Sequence, residues 1–121
     1  VAPFVWQYYG GILPPINLLL NFNQMENLAL LARFEAKPGK EQQVADFLKS
    51  ALPLAEAEPG TIRWYALQIG PSTFGIFDTF TDDAGRDAHL GGEIAKALMA
   101  SAEELLVSTP VIDKVKILAF K

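Results

Sequence analysis

The sequence predicts one α+β domain in which strands and helical regions follow the order β-α-β-β-α-β, and three observations carry that prediction. Leucine-rich, β-branched and aromatic runs at 28–35, 61–69, 74–80 and 111–120 have the length of strands and are bounded by turn residues. Two stretches between them, around 44–55 and 94–106, repeat their apolar residues at helical spacing. A chain of 121 residues, 50% apolar and 20% charged, has the size and composition of a single globular core.

The first strand, residues 28–35, is a short apolar run closed by Lys37-Pro38-Gly39, the form of a buried strand ended by a turn. Val44, Phe47, Leu48, Ala51, Leu52 and Ala55 then recur at helical spacing, with Lys40, Glu41, Gln42, Asp46 and Lys49 between them. An amphipathic helix follows from that pattern. Pro53 should kink or break its last turns, and Glu58-Pro59-Gly60 ends it. Residues 61–69 (TIRWYALQI) and 74–80 (FGIFDTF) are separated by Gly70-Pro71-Ser72-Thr73, a hairpin signal that pairs these strands antiparallel. Thr81-Asp82-Asp83 offers an N-cap with acid in the first turn, for a short helix through His89 and Leu90 that stops at Gly91-Gly92. A longer helix carries Ile94, Leu98, Met99, Ala102, Leu105 and Leu106 on one face and ends before Pro110; residues 111–120 (VIDKVKILAF) are the last strand. This order is the split βαβ, or ferredoxin-like, arrangement: one four-stranded antiparallel sheet with helices on one face.

The other face of that sheet is not polar. In the first strand one parity carries Leu28, Leu30, Ala32 and Phe34, and the other still carries Ala29 and Leu31. In the second, Ile62, Trp64, Ala66 and Gln68 oppose Thr61, Arg63, Tyr65, Leu67 and Ile69. A sheet with water on one side alternates more cleanly, so the helix-free face is expected to pack on another sheet, as a twofold homodimer joined sheet to sheet.

Residues 1–24 contain no Asp, Glu, Lys, Arg or His, and all ten basic and fourteen acidic residues lie downstream. The stretch is broken by Gly10-Gly11 and Pro14-Pro15, and it lacks both the basic start of a secretory signal and the ~20 continuous apolar residues of a membrane span. It reads as an uncharged N-terminal extension, native or added, ahead of a single domain at 25–121. Trp6, Tyr8 and Tyr9 are expected to bury their rings on that domain or on a partner subunit.

Composition removes several kinds of chemistry. With no cysteine there are no disulfides, thiolate metal sites, iron–sulfur clusters or Cys nucleophile, and a single histidine, His89, rules out multi-His metal motifs. A net charge of −4 and a pI near 4.9, without a Lys/Arg cluster, argue against nucleic acid or an anionic membrane as the main partner. No GxGxxG, P-loop or GxSxG element occurs, and Asp82, Asp83 and Asp87 read as helix-start charge rather than as metal ligands. A cysteine-free chain without a targeting segment has the cytoplasm as its default compartment.

The polar residues left over are few. His89 is the only side chain whose ordinary pKa lies near neutrality, which makes it the candidate proton acceptor; the plain alternative is a hydrogen-bonded helix histidine. Arg86-x-x-His89 puts both residues on neighbouring faces of one helix, where they hold an oxyanion or are solvated surface. Trp64 and Tyr65 are adjacent on a strand and point to opposite faces, so one of them lines a helix-side pocket. Asp78 interrupts an apolar strand on the parity of Phe74, Ile76 and Phe80, and must be solvated, paired or functional, with Arg33 as the candidate partner.

The blocks ALLARFEAKPGKEQQVADFL, EAEPGTIRWYALQI and FGIFDTFTDDAGRDAHL, followed by a helix and a last strand, together resemble the antibiotic biosynthesis monooxygenase family over about residues 25–121. The ordered set EPG-x-x-x-[WY], aromatic third strand and AHL carries the resemblance, and residues 1–24 have no counterpart in it. The resemblance implies a homodimer of ferredoxin-like subunits, each with a pocket between sheet and helices. It also implies oxidation of electron-rich aromatics such as quinols or anthrones by dioxygen, with no flavin, haem or metal cofactor. His89 falls at the family's recurrent helix histidine, and Trp64 or Tyr65 on the strand that contributes aromatic pocket residues. Haem-degrading relatives carry an Asn on the first strand, a Trp after the third and a His on the last helix. Here Ala32-Arg33-Phe34, Phe80 and the absence of any His after His89 depart from that pattern and disfavour haem degradation.

Dioxygen reacts readily only with a substrate that loses an electron easily, usually its phenolate or enolate. The protein then needs an apolar pocket, a base and donors toward the oxyanion. On this expectation His89 takes the substrate proton, Arg33 or Arg86 stabilises the anion, and Trp64 or Tyr65 with Phe77, Asp78, Phe80, Ile94 and Leu98 shapes the pocket for a small aromatic. Two other classes stay open: a non-enzymatic small-molecule-binding or stress-response module, and an isomerase or decarboxylase acting on an enolisable carbonyl with the same base.

Overall fold

Four alternating runs pair into one antiparallel sheet in the structure, a computed structural model that describes residues 25–121. In chain order the elements are β1 (Leu28–Glu35), α1 (Glu41–Ser50), α2 (Leu52–Glu56), β2 (Thr61–Gln68), β3 (Thr73–Phe80), α3 (Asp83–Leu90), α4 (Glu93–Leu105) and β4 (Val111–Lys116). The strand order is β2-β3-β1-β4 with every neighbour antiparallel, which is the ferredoxin-like arrangement. The expectation that Trp6, Tyr8 and Tyr9 pack on the domain or a partner lies outside the described residues.

Register fixes which residues share a face. Leu30, Ala32 and Phe34 of β1 stand opposite Asp78, Ile76 and Phe74 of β3, and this set points toward the helices. It packs on Val44, Leu48, Ala51, Ala55, Ile94 and Leu98, all buried. Each buried Val, Leu, Ile or Phe side chain here contributes about 1.5–3 kcal/mol relative to exposure, so this layer holds the helices to the sheet. Asp78 therefore enters an otherwise apolar layer, only 1% exposed.

The helical regions depart from expectation at Pro53. It does not kink one long helix but opens a second: α1 stops at Ser50, and Pro53 occupies the first turn of α2, where its missing N–H leaves no helical bond unmade. The last strand is also shorter than the run 111–120. Because β1 begins at Leu28, paired with Lys116, only Ile117 finds one more bond, its N–H donating to Asn27 O at 2.9 Å, and Leu118 is 91% exposed.

The helix-free face carries Leu31 and Phe77, half-buried, with Tyr65, Ile69 and Val111 exposed, as the uneven alternation predicts. Among the described residues no helix is long and apolar enough to cross a membrane.

Candidate functional site

The site forms where α3 leans over the end of the hairpin. Asp82 caps the helix, its side chain accepting the Gly85 N–H at 2.9 Å. The helix can approach because two glycines face each other: a Cβ on Gly60 would lie 2.9 Å from Gly85 Cα, and one on Gly85 would lie 2.9 Å from Gly60 O. That contact brings the last turn of α3, and His89 with it, between β3 and the loop that leads into β2.

His89 is held on both sides by carboxylates. Its Nε2 lies 2.7 Å from Asp78 Oδ2 and its Nδ1 lies 2.6 Å from Glu58 Oε1. With two acceptors flanking it, the ring donates from both nitrogens when protonated. Thr61 Oγ1 donates to the same Glu58 oxygen at 2.8 Å, and the Phe80 ring lies 5.4 Å from the imidazole at a 48° tilt.

Burial by itself would lower the histidine's pKa. The hydrogen bond and charge of Asp78, followed by those of Glu58, outweigh it and push His89 up to about 9, so the ring is an imidazolium at neutral pH. For Asp78 burial is the largest influence and raises the carboxyl above its ordinary range, while the His89 hydrogen bond and charge pull it back down. Asp78 Oδ1 is sealed from solvent and, among the described residues, has no hydrogen-bond partner. An unpartnered carboxylate oxygen in an apolar layer is a costly arrangement and a ready proton acceptor.

An apolar cavity adjoins this centre, lined by Leu30, Ala32, Ile76, Ile94, Leu98 and Met99 among others, with Asp78 and His89 as its polar members. Its volume is about 40 Å³. A single water needs roughly 10–15 Å³ by such a measure and a dry benzene-binding cavity is roughly 150 Å³, so water or dioxygen fits as it stands and an aromatic ring requires a side chain to yield. Half-exposed Met99 is the flexible wall, since it also borders a surface groove of about 440 Å³ on the far side with Lys37, Leu106 and Thr109.

Of the residues singled out in the sequence, His89, Asp78, Ile94 and Leu98 meet at the cavity, and Phe80 packs on the imidazole. Trp64 is on the helix side, packed against the core with its buried Nε1 unpartnered among the described residues, and does not line the cavity. Tyr65 and Phe77 sit opposite each other on the helix-free face. Arg33 is not the partner of Asp78: its parity in β1 is opposite to that of Leu30, which faces Asp78, so it projects from the other side of the sheet. Nor does Arg86 reach the cavity. Its guanidinium donates to Asp83 at 3.1 Å and to the carbonyls of Ala29 and Val115 at 3.4 and 3.3 Å, bracing α3 against β1 and β4. Neither arginine is placed to steady an anion beside His89. The sequence reading missed Glu58, taken only as a helix end; the available signal was a carboxylate directly before Pro59-Gly60.

Residues 27–101 match the model of the family described as antibiotic biosynthesis monooxygenase. A Nitrosomonas europaea protein of unknown function is 63% identical, with a TM-score of 0.79 over 81% of this chain and 95% of its own. Two further solved structures share the fold. One, a Pseudomonas aeruginosa protein at 24% identity, has a TM-score of 0.68 over 79% of this chain and 98% of its own. The other, titled an antibiotic biosynthesis monooxygenase, is 17% identical with a TM-score of 0.65 over 76% and 99%. No curated protein matches the chain.

Proposed function

The chain belongs to the antibiotic biosynthesis monooxygenase family, and on that premise we propose that it oxidises an electron-rich aromatic of the quinol or anthrone class with dioxygen and without a cofactor. The observation that supports this reading is the Asp78–His89 pair: both residues line an apolar cavity, and among the described residues one Asp78 carboxylate oxygen has no hydrogen-bond partner. Both ring nitrogens of His89 are taken, so the group that meets the substrate is Asp78 Oδ1, and His89 acts through it.

In an anthrone-type substrate, Asp78 Oδ1 takes the acidic proton and the resulting anion passes one electron to dioxygen. Recombination of the radical pair forms a C–O bond, and Asp78 returns the proton to the peroxide anion, giving a substrate hydroperoxide. Asp78 then takes the second hydrogen of that carbon as C=O forms and the O–O bond breaks, and passes it to the departing hydroxide. One oxygen atom stays in the product and the other leaves as water with the two hydrogens the carbon has lost, so the centre ends as it began. The apolar walls keep bulk water from the anion and favour charge held by the fixed imidazolium. A ring enters by displacing Met99 or Leu90.

We also propose that residues 25–121 act as one catalytic unit that dimerises through the helix-free face bearing Leu31, Tyr65 and Phe77. The small volume of the cavity favours a competing reading, a binding module without turnover. Oxygen uptake by the purified protein against reduced quinols and anthrones separates the two. Uptake should occur, and Asp78→Asn should lower it ~10²–10⁴-fold, as loss of a positioned proton acceptor does. Binding with no uptake would establish the binding module, and uptake indifferent to Asp78→Asn would remove the proposed centre from the reaction.

A further inference from the structure

We infer that Glu58 is the positioning residue of this centre: its carboxylate receives the Nδ1–H of His89 and so fixes Nε2 as the ring nitrogen presented to Asp78. The inference rests on the proposed role of the Asp78–His89 pair and adds a third member to it, outside the helix and strand that carry the other two.

Glu58 occupies a built seat. Its backbone lies in a bonded turn, with its N–H donating to Ala55 O at 3.1 Å and its carbonyl accepting from Thr61 N–H at 3.3 Å. The Thr61 hydroxyl steadies Oε1 from one side. On the other, Gly92 leaves room for the second oxygen: a Cβ there would lie 3.0 Å from Glu58 Oε2. Together with Gly60 and Gly85, three glycines set the spacing between the Glu58 loop and the helix that carries His89. An ordinary surface carboxylate beside a histidine requires none of this.

The charges facing the ring are few. Asp78 approaches from β3 and Glu58 from the loop before β2, while on α3 itself Asp83 and Asp87 are exposed and Arg86 is turned to the strand carbonyls. From α4, Glu93 is exposed and lies 3.7 Å from Lys96. Without Glu58, Nδ1 loses its acceptor in a site where the histidine is 7% exposed, and the ring can rotate or take the other tautomer. Asp78 then loses a fixed cation at its Oδ2. This is the logic by which a carboxylate behind a histidine sets tautomer and orientation in other acid–base centres.

The test uses the fact that the protein has one histidine, so imidazole nitrogen NMR reads a single ring. In the full chain both ring nitrogens should be protonated at pH 7. Glu58→Gln should move the titration down by about one pH unit or more, lower kcat by ~10–100-fold with KM little changed, and carry the alkaline limb of the pH–rate profile down with it. Glu58→Asp, which keeps the charge but retracts it by one methylene, should fall between, and it alone reads the effect if the amide variant does not fold. An unmoved titration in either folded variant would overturn the inference, whatever happens to stability. A moved titration with turnover indifferent to Asp78→Asn would instead overturn the proposed reaction, leaving Glu58 as the partner that sets the ring.

Discussion

Raising the pH should destabilise this protein through one residue. The folded-state pKa of His89 is about 9 against an ordinary 6.5, because the hydrogen bonds and charges of Asp78 and Glu58 outweigh the opposing effect of burial. Between those two values the folded chain holds a proton that the unfolded chain has released. Stability is therefore fully present below about pH 6.5 and is lost as pH rises through about 9. At ~1.4 kcal/mol per pH unit the gap corresponds to roughly 3–4 kcal/mol, a large share of the ~5–15 kcal/mol that holds a typical domain. Urea unfolding followed by tryptophan fluorescence, at fixed protein concentration and at pH 6, 7, 8 and 9, measures it directly. With m about 1–3 kcal/mol/M, the midpoint should fall by roughly 1–3 M across the series. His89→Gln should start lower and stay nearly level over the same range, since no other histidine is present. A wild-type midpoint that is flat or rises between pH 6.5 and 9 would refute the reasoning, because a doubly clamped imidazolium has no way to be indifferent to its proton.

Two further outcomes follow from packing. Gly60→Ala places a methyl 2.9 Å from Gly85 Cα, so α3 must move away from the Glu58 loop; a loss of ~1–3 kcal/mol in chemical denaturation is expected, together with a His89 titration that drifts toward its ordinary value. Tyr65→Lys puts a charge on the helix-free face at a side chain that is 48% exposed in the single subunit. Folding should be little affected, while sedimentation should shift from the proposed dimer to monomer; an unchanged sedimentation coefficient would overturn dimerisation through this face.

Periodicity placed the elements but not all of their ends: Pro53 opens a second helix, and β4 stops at Lys116. Alternation at residues 61–69 and 74–80 with a Gly-Pro turn between them specified the hairpin and sent Trp64 and Tyr65 to opposite faces, and Asp82 before an acidic turn specified the start of α3. These features are local: each is set by the twofold or 3.6-fold repeat of side chains along one segment and by the turn or cap residues at its end. Register was not legible, and with it went the partner of Asp78. Arg33 and His89 were both available in the sequence; the pairing of Leu30 with Asp78 turned the carboxyl to the helix side and left Arg33 behind the sheet. Glu58 lies 31 residues from His89, and its own neighbourhood marks it only as a carboxylate directly before Pro59-Gly60, without naming its partner. The close approach of Gly60 and Gly85 turned three separate polar residues into one centre. Amino-acid order by itself determined which segments form strands and helices and which face of each is apolar. Tertiary structure alone decided that Asp78, His89 and Glu58 meet, because their convergence depends on strand register and interlayer distance, which are set by packing across the whole domain.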